Sequence, residues 1–347
     1  MAEKVKLTSI AELGEFGLID HINEKVKIKH KETIKGIGDD AAVLQFDKQQ
    51  TVITTDLLVE GIHFDLMYTP LRHLGYKAIA VNVSDVVAMN ATPKQVTVSL
   101  AMSGKFSVQA VDQIYEGIHA ACEEYGVDLI GGDTTSSVTG LMISVTAIGT
   151  ADPKKIVYRS GARENDIICV SGDLGSAYVG LQLMEREKEV FKANPNVQPQ
   201  FQGKEYLLSR ILKPTARLDV IKKLAENGVQ PTAMMDISDG LSSELIHICR
   251  QSDTGCRIYD DKIPFRQDTV TAADEMNIEP LMAALNGGED YELVFTISPD
   301  DYEKIKDQEG ISFIGHMTNK SKGMYLTPQH GEEIQLKAQG WTAYKSE

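Results

Sequence analysis

Gln95-Val96-Thr97-Val98-Ser99-Leu100-Ala101-Met102 decides the fold class, because Val96, Val98, Leu100 and Met102 fall on one face and Thr97, Ser99 and Ala101 on the other. Alternation with period two marks a strand that meets two unlike environments. Just before it, residues 73 to 90 are apolar almost all round (Leu74, Ala78, Ile79, Val81, Val83, Val86, Val87, Met89), which predicts a buried helix. Further upstream, Thr51-Val52-Ile53-Thr54-Thr55-Asp56 reads as a strand ending in a carboxylate. Downstream, Ser107 as N-cap and Gly126 as C-terminal stop bracket a second helix, followed by strands near 127 to 131 and 141 to 148. The polar, proline-marked run Ala151-Asp152-Pro153-Lys154-Lys155 then reads as a boundary.

Beyond it, Ile167 to Val170 predicts a short strand and Leu174 to Arg186 a helix, with a long surface loop from Glu187 to Lys204, read as an insertion with a lid as the alternative. A helix over 216 to 227 stops at Gly228, and another starts at Ser238 or Asp239 with Leu241, Leu245 and Ile248 on one face. Tyr291 to Ile297 and Ile311 to Ile314 read as strands. A chain of 347 residues is long for one core, so two domains are expected, 1–150 and 151–347, in an α/β (α+β) protein.

Composition excludes several function classes. The chain is 42% hydrophobic and 24% charged, ordinary for a globular protein, and acids outnumber bases 50 to 35 with no basic patch, which argues against nucleic acid as a partner. No stretch approaches the roughly 18 apolar residues that span a bilayer, and the N-terminus lacks a signal-like apolar core. A cytoplasmic, membrane-free protein is expected. Cys122, Cys169, Cys249 and Cys256 show no C-x-x-C spacing and the eight histidines no ligand pair, so zinc and a disulfide framework are not expected.

What remains unusual is a set of carboxylates beside small residues: Gly38-Asp39-Asp40, Thr54-Thr55-Asp56, Ser84-Asp85, Gly131-Gly132-Asp133 and Asp236-Ile237-Ser238-Asp239-Gly240. Hard cations such as Mg²⁺ take oxygen ligands, and glycine lets the backbone approach a phosphate. Each cluster has a plain alternative. Gly36-Ile37-Gly38-Asp39-Asp40 is a tight turn or a phosphate cradle. Asp85, one helical turn after Asn82, is a metal ligand or a helix end turned to solvent. Asp133 follows Gly131-Gly132 at the expected end of a strand, where α/β sheets place ligands. Ser238 or Asp239 serves as an N-cap, which leaves Asp236 unexplained, and the helix beginning there offers amides and a positive dipole end. Gly287-Gly288-Glu289-Asp290-Tyr291-Glu292 adds three acids before a strand. No Walker A, dinucleotide fingerprint, kinase catalytic loop or G-x-S-x-G is present. Together the clusters point to magnesium-dependent phosphoryl transfer.

These residues carry a resemblance. The chain is similar to thiamine-monophosphate kinases of the aminoimidazole-ribonucleotide-synthetase-like ATP-binding superfamily, nearly end to end: Gly14-Glu15-Phe16-Gly17-Leu18-Ile19, Gly36-Ile37-Gly38-Asp39-Asp40, Thr55-Asp56-Leu57-Leu58-Val59-Glu60-Gly61-Ile62-His63-Phe64, Ala80-Val81-Asn82-Val83-Ser84-Asp85, Leu129-Ile130-Gly131-Gly132-Asp133-Thr134, Arg159-Ser160-Gly161-Ala162, Asp236 to Leu241 and Gly287 to Leu293. The resemblance implies ATP-dependent phosphorylation of thiamine monophosphate to thiamine diphosphate. It implies that Asp39, Asp56, Asp85, Asp133, Asp236 and Asp239 hold several Mg²⁺ ions with help from Thr54 and Thr55. Arg159, Ser238 and the Gly132 backbone would meet ATP; His63, Glu289 and Trp341 would hold the acceptor; Asp56, Asp133 and Asp239 would be the catalytic centre. A homodimer is implied in which the N-terminal domains share a β-barrel, with active sites in clefts between domains. The chain departs from the family at Arg163-Glu164-Asn165-Asp166, where members carry a Pro-Gly turn, and at its ending, Gly340-Trp341-Thr342-Ala343-Tyr344. The alternatives are another ATP-dependent synthetase of the superfamily, a magnesium-dependent phosphohydrolase, or a nucleotide-binding module without turnover. Within the superfamily, selenophosphate synthetase and the carbamoyl-dehydrating maturation protein are disfavoured, for want of a cysteine near the N-terminus and at the C-terminus respectively.

Overall fold

A computed structural model describes residues 21–35, 43–44 and 50–339. Asp39, with its Gly36–Asp40 cluster, and Trp341 lie outside these residues. The described chain forms two compact units, one holding residues up to Val86 with Ala91–Pro153, the other Val87–Asn90 with Lys154 onward.

The first unit contains a small antiparallel ribbon, β1 (Thr33–Lys35) with β2 (Val43–Leu44), and a four-stranded sheet. Its elements run β3 (Gln50–Val59), α1 (Leu71–Ala88), β4 (Thr92–Met102), α2 (Val108–Tyr125), β5 (Asp128–Ser136) and β6 (Met142–Ala151). The strand order is β3-β6-β4-β5. Only β4 and β5 are parallel, joined by the crossover helix α2, and the other pairs are antiparallel. Val96, Val98 and Leu100 of β4 and Ile143, Val145 and Ala147 of β6 are buried, as are Leu74, Ile79, Val83 and Val86 of α1. Each such aliphatic side chain contributes roughly 1.5–3 kcal/mol by leaving water. Helices α1 and α2 touch backbone to backbone: a Cβ on Gly117 would lie 1.8 Å from the Arg72 carbonyl oxygen, so only glycine fits there. The opposite sheet face stays open in the single chain, with Ile53 65% and Leu57 51% exposed.

The second unit carries a seven-stranded sheet, order β13-β12-β9-β11-β7-β10-β8, antiparallel except for β12 beside β9. Its elements are β7 (Ile167–Ser171), α3 (Ser176–Ala193), α4 (Glu205–Leu212), α5 (Leu218–Glu226), β8 (Ala233–Asp236), α6 (Leu241–Ser252), β9 (Thr254–Tyr259), α7 (Gln267–Glu275), α8 (Pro280–Asn286), β10 (Leu293–Ile297), α9 (Tyr302–Ile305), β11 (Ile311–Asn319), β12 (Met324–Thr327) and β13 (Ile334–Gln335). Its core joins Ile168, Val170, Met235, Val294 and Ile314 from the sheet to Leu241, Leu245 and Ile248 of α6. A smaller cluster of Val179, Leu207, Ala272, Ala273 and Ala283 ties α3, α4, α7 and α8 together.

Three expectations change. The long loop is shorter than 187–204, because α3 runs on to Ala193 and α4 begins at Glu205. Glu187 is buried, takes the Arg186 guanidinium at 2.9 Å and accepts the Gln200 amide at 3.0 Å, so the loop is tied back to the helix. Strand β5 does not stop before Asp133 but continues through Gly132 and Asp133 to Ser136. Helix α6 starts at Leu241 with Gly240 as N-cap, and neither Ser238 nor Asp239 caps it.

Candidate active site

Each unit presents one group of the expected residues. In the first, the even positions of β3 turn toward α1. The Thr54 hydroxyl donates to Asp85 Oδ2 at 2.7 Å, and the Asp56 amide donates to Asn82 Oδ1 at 3.0 Å. Asn82 is held in turn by its amide nitrogen donating to the Ala78 carbonyl, 3.0 Å away. Asn82 and Asp85 are three residues apart on one helix, so they stand side by side and meet adjacent even positions of the strand. The structure thus brings Thr54, Asp56 and Asp85 together.

Thr55 is not in that group. Strand alternation puts it on the other face, where its hydroxyl donates to the Val145 carbonyl at 2.9 Å. Gly132 and Asp133 are exposed on β5, the opposite edge of the sheet from β3. Three strand spacings separate those edges, on the order of 14 Å along the sheet. His63 follows β3, and its Nδ1 accepts the Val59 amide at 3.0 Å, which places the ring proton on Nε2.

In the second unit the acidic turn after β8 is clamped from two sides. Asp236 ends the strand and is buried, while Ser238 and Asp239 are half-buried. The Glu289 amide donates to the Ser238 carbonyl at 2.8 Å and the Tyr291 amide to the Ile237 carbonyl at 2.9 Å. Gly288 makes this approach possible: it sits at φ +70°, and a Cβ there would lie 2.4 Å from the Ser238 carbonyl oxygen. From the other side, Glu244 of α6 accepts the Ser238 amide at 3.2 Å and the Asp239 amide at 2.9 Å. These two amides, expected to face a ligand at a helix start, are occupied.

Burial pushes the Asp239 carboxyl above its usual range, with the Glu289 charge adding and His247 and Arg159 opposing. Burial likewise pushes Glu244 up to about 8; its amide bonds work against this, and the charges of Asp239 and Asp236 add to it. His247 is held below its ordinary value by burial and by Arg159 and Arg250. Arg159, Glu289, His247 and Asp239 therefore share one neighbourhood. Glu244 and His247 were not singled out from the sequence: Glu244 lies five and six residues after its partners, outside the S-x-x-E spacing of a capping box.

The other two acids of the Gly287 to Glu292 run are structural. Glu292 is buried between Arg210 (3.0 Å) and Arg217 (2.5 Å) and accepts the Ser171 hydroxyl. Asp290 is fully buried and accepts the Gly175 amide at 2.8 Å. Burial raises its carboxyl to about 7 against the pull of Arg210 and the amides of Gly175 and Ala177.

All donors in both groups are oxygens, the chemistry of a hard cation, and Asp236 and Asp239 converge on a turn where negative charge is costly without one. Among the described residues, no three His, Cys, Asp or Glu side chains form a metal cage on their own. Mg²⁺ is usually held by one or two carboxylates completed by phosphate oxygens and water, and these groups fit that pattern. No described helix is long and apolar enough to cross a membrane.

Comparison with known proteins places the chain. Residues 38–151 match the N-terminal domain of AIR synthase related protein and residues 163–325 its C-terminal domain. The thiamine-monophosphate kinase of Aquifex aeolicus (strain VF5) is 34% identical over 332 residues, covering 96% of this chain and 98% of that protein. That of Bacillus subtilis (strain 168) is 33% identical over 339 residues, covering 96% and 100%. The solved structure of AaThiL complexed with AMPPCP and TMP is 34% identical, with a TM-score of 0.72 over 96% of this chain and 99% of that one. With a third of its residues shared along almost its entire length, the chain belongs to the thiamine-monophosphate kinase family of AIR-synthase-related proteins.

Proposed function

We propose that this protein transfers the γ-phosphoryl group of ATP to thiamine monophosphate, forming thiamine diphosphate and ADP. The observation that carries the reading is the near full-length identity with thiamine-monophosphate kinases, one relative having been solved with AMPPCP and TMP. The acceptor is a phosphate oxygen already anionic near neutral pH, so direct in-line transfer needs no strong general base. This suits a site of oxygen ligands in which His63 has Nδ1 engaged as an acceptor.

In this reading Thr54, Asp56 and Asp85 on one unit and Asp236 and Asp239 on the other hold Mg²⁺, with Asp39 and Asp133 as further ligands. Bound Mg²⁺ would neutralise charge on the two polyphosphates and orient them for attack. Arg159, Ser238 and Gly132 meet ATP, and Arg159 supplies positive charge beside Asp239. His63, Glu289 and Trp341 hold the acceptor, whose cationic thiazolium suits a carboxylate and an aromatic face. We further propose a homodimer built on the open face of the four-stranded sheet, the shared barrel of the family, and a cytoplasmic location, since both substrates are charged molecules that do not cross a bilayer unaided.

The test is product stoichiometry across phosphorylated acceptors. Thiamine monophosphate should give one thiamine diphosphate per ADP and free thiamine none. Inorganic phosphate released without thiamine diphosphate would favour a hydrolase and sink the reading.

A further inference from the structure

Glu244 is 1% exposed on the first turn of α6, and its two oxygens have different fates. Oε1 accepts the amides of Ser238 and Asp239, whereas Oε2 is buried with no hydrogen-bond partner. A buried acceptor without a donor is costly, and here it adds a third carboxyl to a turn that already holds Asp236 and Asp239. A helix cap does not account for it. The N-cap of α6 is Gly240, without a side-chain cap bond, and Glu244 reaches past it to two amides that precede the helix. What Glu244 does is immobilise the peptide groups on both sides of Ser238, whose carbonyl is already taken by the Glu289 amide. With both amides and the Ser238 carbonyl engaged, the turn's contribution to a ligand falls chiefly to its side chains.

We propose that Glu244 is a positioning residue for the nucleotide site: its Oε1 clamps the Ser238 and Asp239 amides and so fixes where the Ser238 hydroxyl and Asp239 carboxylate point. The assignment rests on the reading of this turn as part of the magnesium–nucleotide site. The acceptor oxygen is what matters, and its reach is set by the length of the glutamyl chain. Glu244→Gln keeps that oxygen in place, Glu244→Asp withdraws it by one methylene, and Glu244→Ala removes it.

Calorimetric titration of the intact protein with AMPPCP and MgCl₂, beside steady-state kinetics, tests this. Glu244→Ala and Glu244→Asp should bind AMPPCP at least about tenfold more weakly than wild type, the equivalent of about one lost hydrogen bond. The Mg²⁺ concentration for half-maximal activity should rise with it, while KM for thiamine monophosphate stays within about twofold. Glu244→Gln should bind within about threefold of wild type, since its amide oxygen can take both N–H groups. Wild-type binding in all three variants would overturn the positioning role. So would the reverse order, with Glu244→Asp intact and Glu244→Gln impaired, because charge rather than reach would then be the property used. If Glu244→Ala does not fold, the comparison of Glu244→Asp with Glu244→Gln decides alone. A wild-type protein that fails to bind AMPPCP with Mg²⁺ would remove the nucleotide reading of the turn, and this inference with it.

Discussion

Glu289 and Asp290 are neighbours in the chain with opposite roles. Glu289 sits at φ +63° beside Asp239, whereas Asp290 is sealed inside the second unit with amides for partners. Asp290 therefore gives a stability prediction. Its folded carboxyl lies near 7 and its ordinary value is 3.8, so the folded state holds the proton more tightly. The stability this contributes is complete below about pH 4 and is lost as pH rises through about 7. Asp290→Asn keeps an acceptor for the Gly175 amide and removes the ionisation, so its Tm advantage over wild type should grow between pH 5 and pH 8 in a thermal-shift series. A pH-independent difference would contradict this. The aspartates of the proposed metal groups behave differently. Asp56→Asn or Asp239→Asn should leave the fold intact but lower turnover at least about 10²-fold, roughly 2.7 kcal/mol of transition-state stabilisation, because an amide is a poorer Mg²⁺ ligand. Near-normal turnover of a folded variant at low Mg²⁺ would refute the role.

At the scale of elements, what could be read from the sequence was what local periodicity encodes. The alternation over 95 to 102 is β4 with its buried face at Val96, Val98 and Leu100, and the continuous apolar run is α1. Ser107 and Gly126 cap α2 as their chemistry dictates, the serine hydroxyl accepting from Ala110 and the glycine at φ +66°. Non-local contacts were out of reach. Nothing local says that Glu244 reaches back past Gly240 or that Arg210 and Arg217 neutralise Glu292. The polar run after Arg186 hid the last turns of α3, whose Lys188–Glu185 and Lys192–Glu189 pairs suit a solvent-exposed helix as well as a loop. The open face of the four-stranded sheet also carries a prediction. Ile53 and Leu57 are apolar and exposed in the single chain, which the proposed dimer explains. Wild type should sediment as a dimer at micromolar concentration without ligands, and Ile53→Lys with Leu57→Lys as a monomer. A monomeric wild type would contradict the dimer.

For the whole molecule the central problem is charge. The protein carries a formal net charge of −15 and, on this account, must hold two phosphorylated anions close enough to react. Coulomb repulsion at such separations is large unless it is locally neutralised, and Arg159 with cations bound by the aspartates would have to do that. Family membership sets the chemistry within which these residues act, and the physical reading accounts for why the site is rich in oxygen ligands. The most direct measurement follows the phosphoryl group itself. With ATP labelled at the γ-phosphorus and thiamine monophosphate as acceptor, the label should appear in the terminal phosphate of thiamine diphosphate, in step with ADP, and the protein should retain none. Label recovered as inorganic phosphate with thiamine diphosphate absent, or trapped covalently on the protein, would contradict direct transfer.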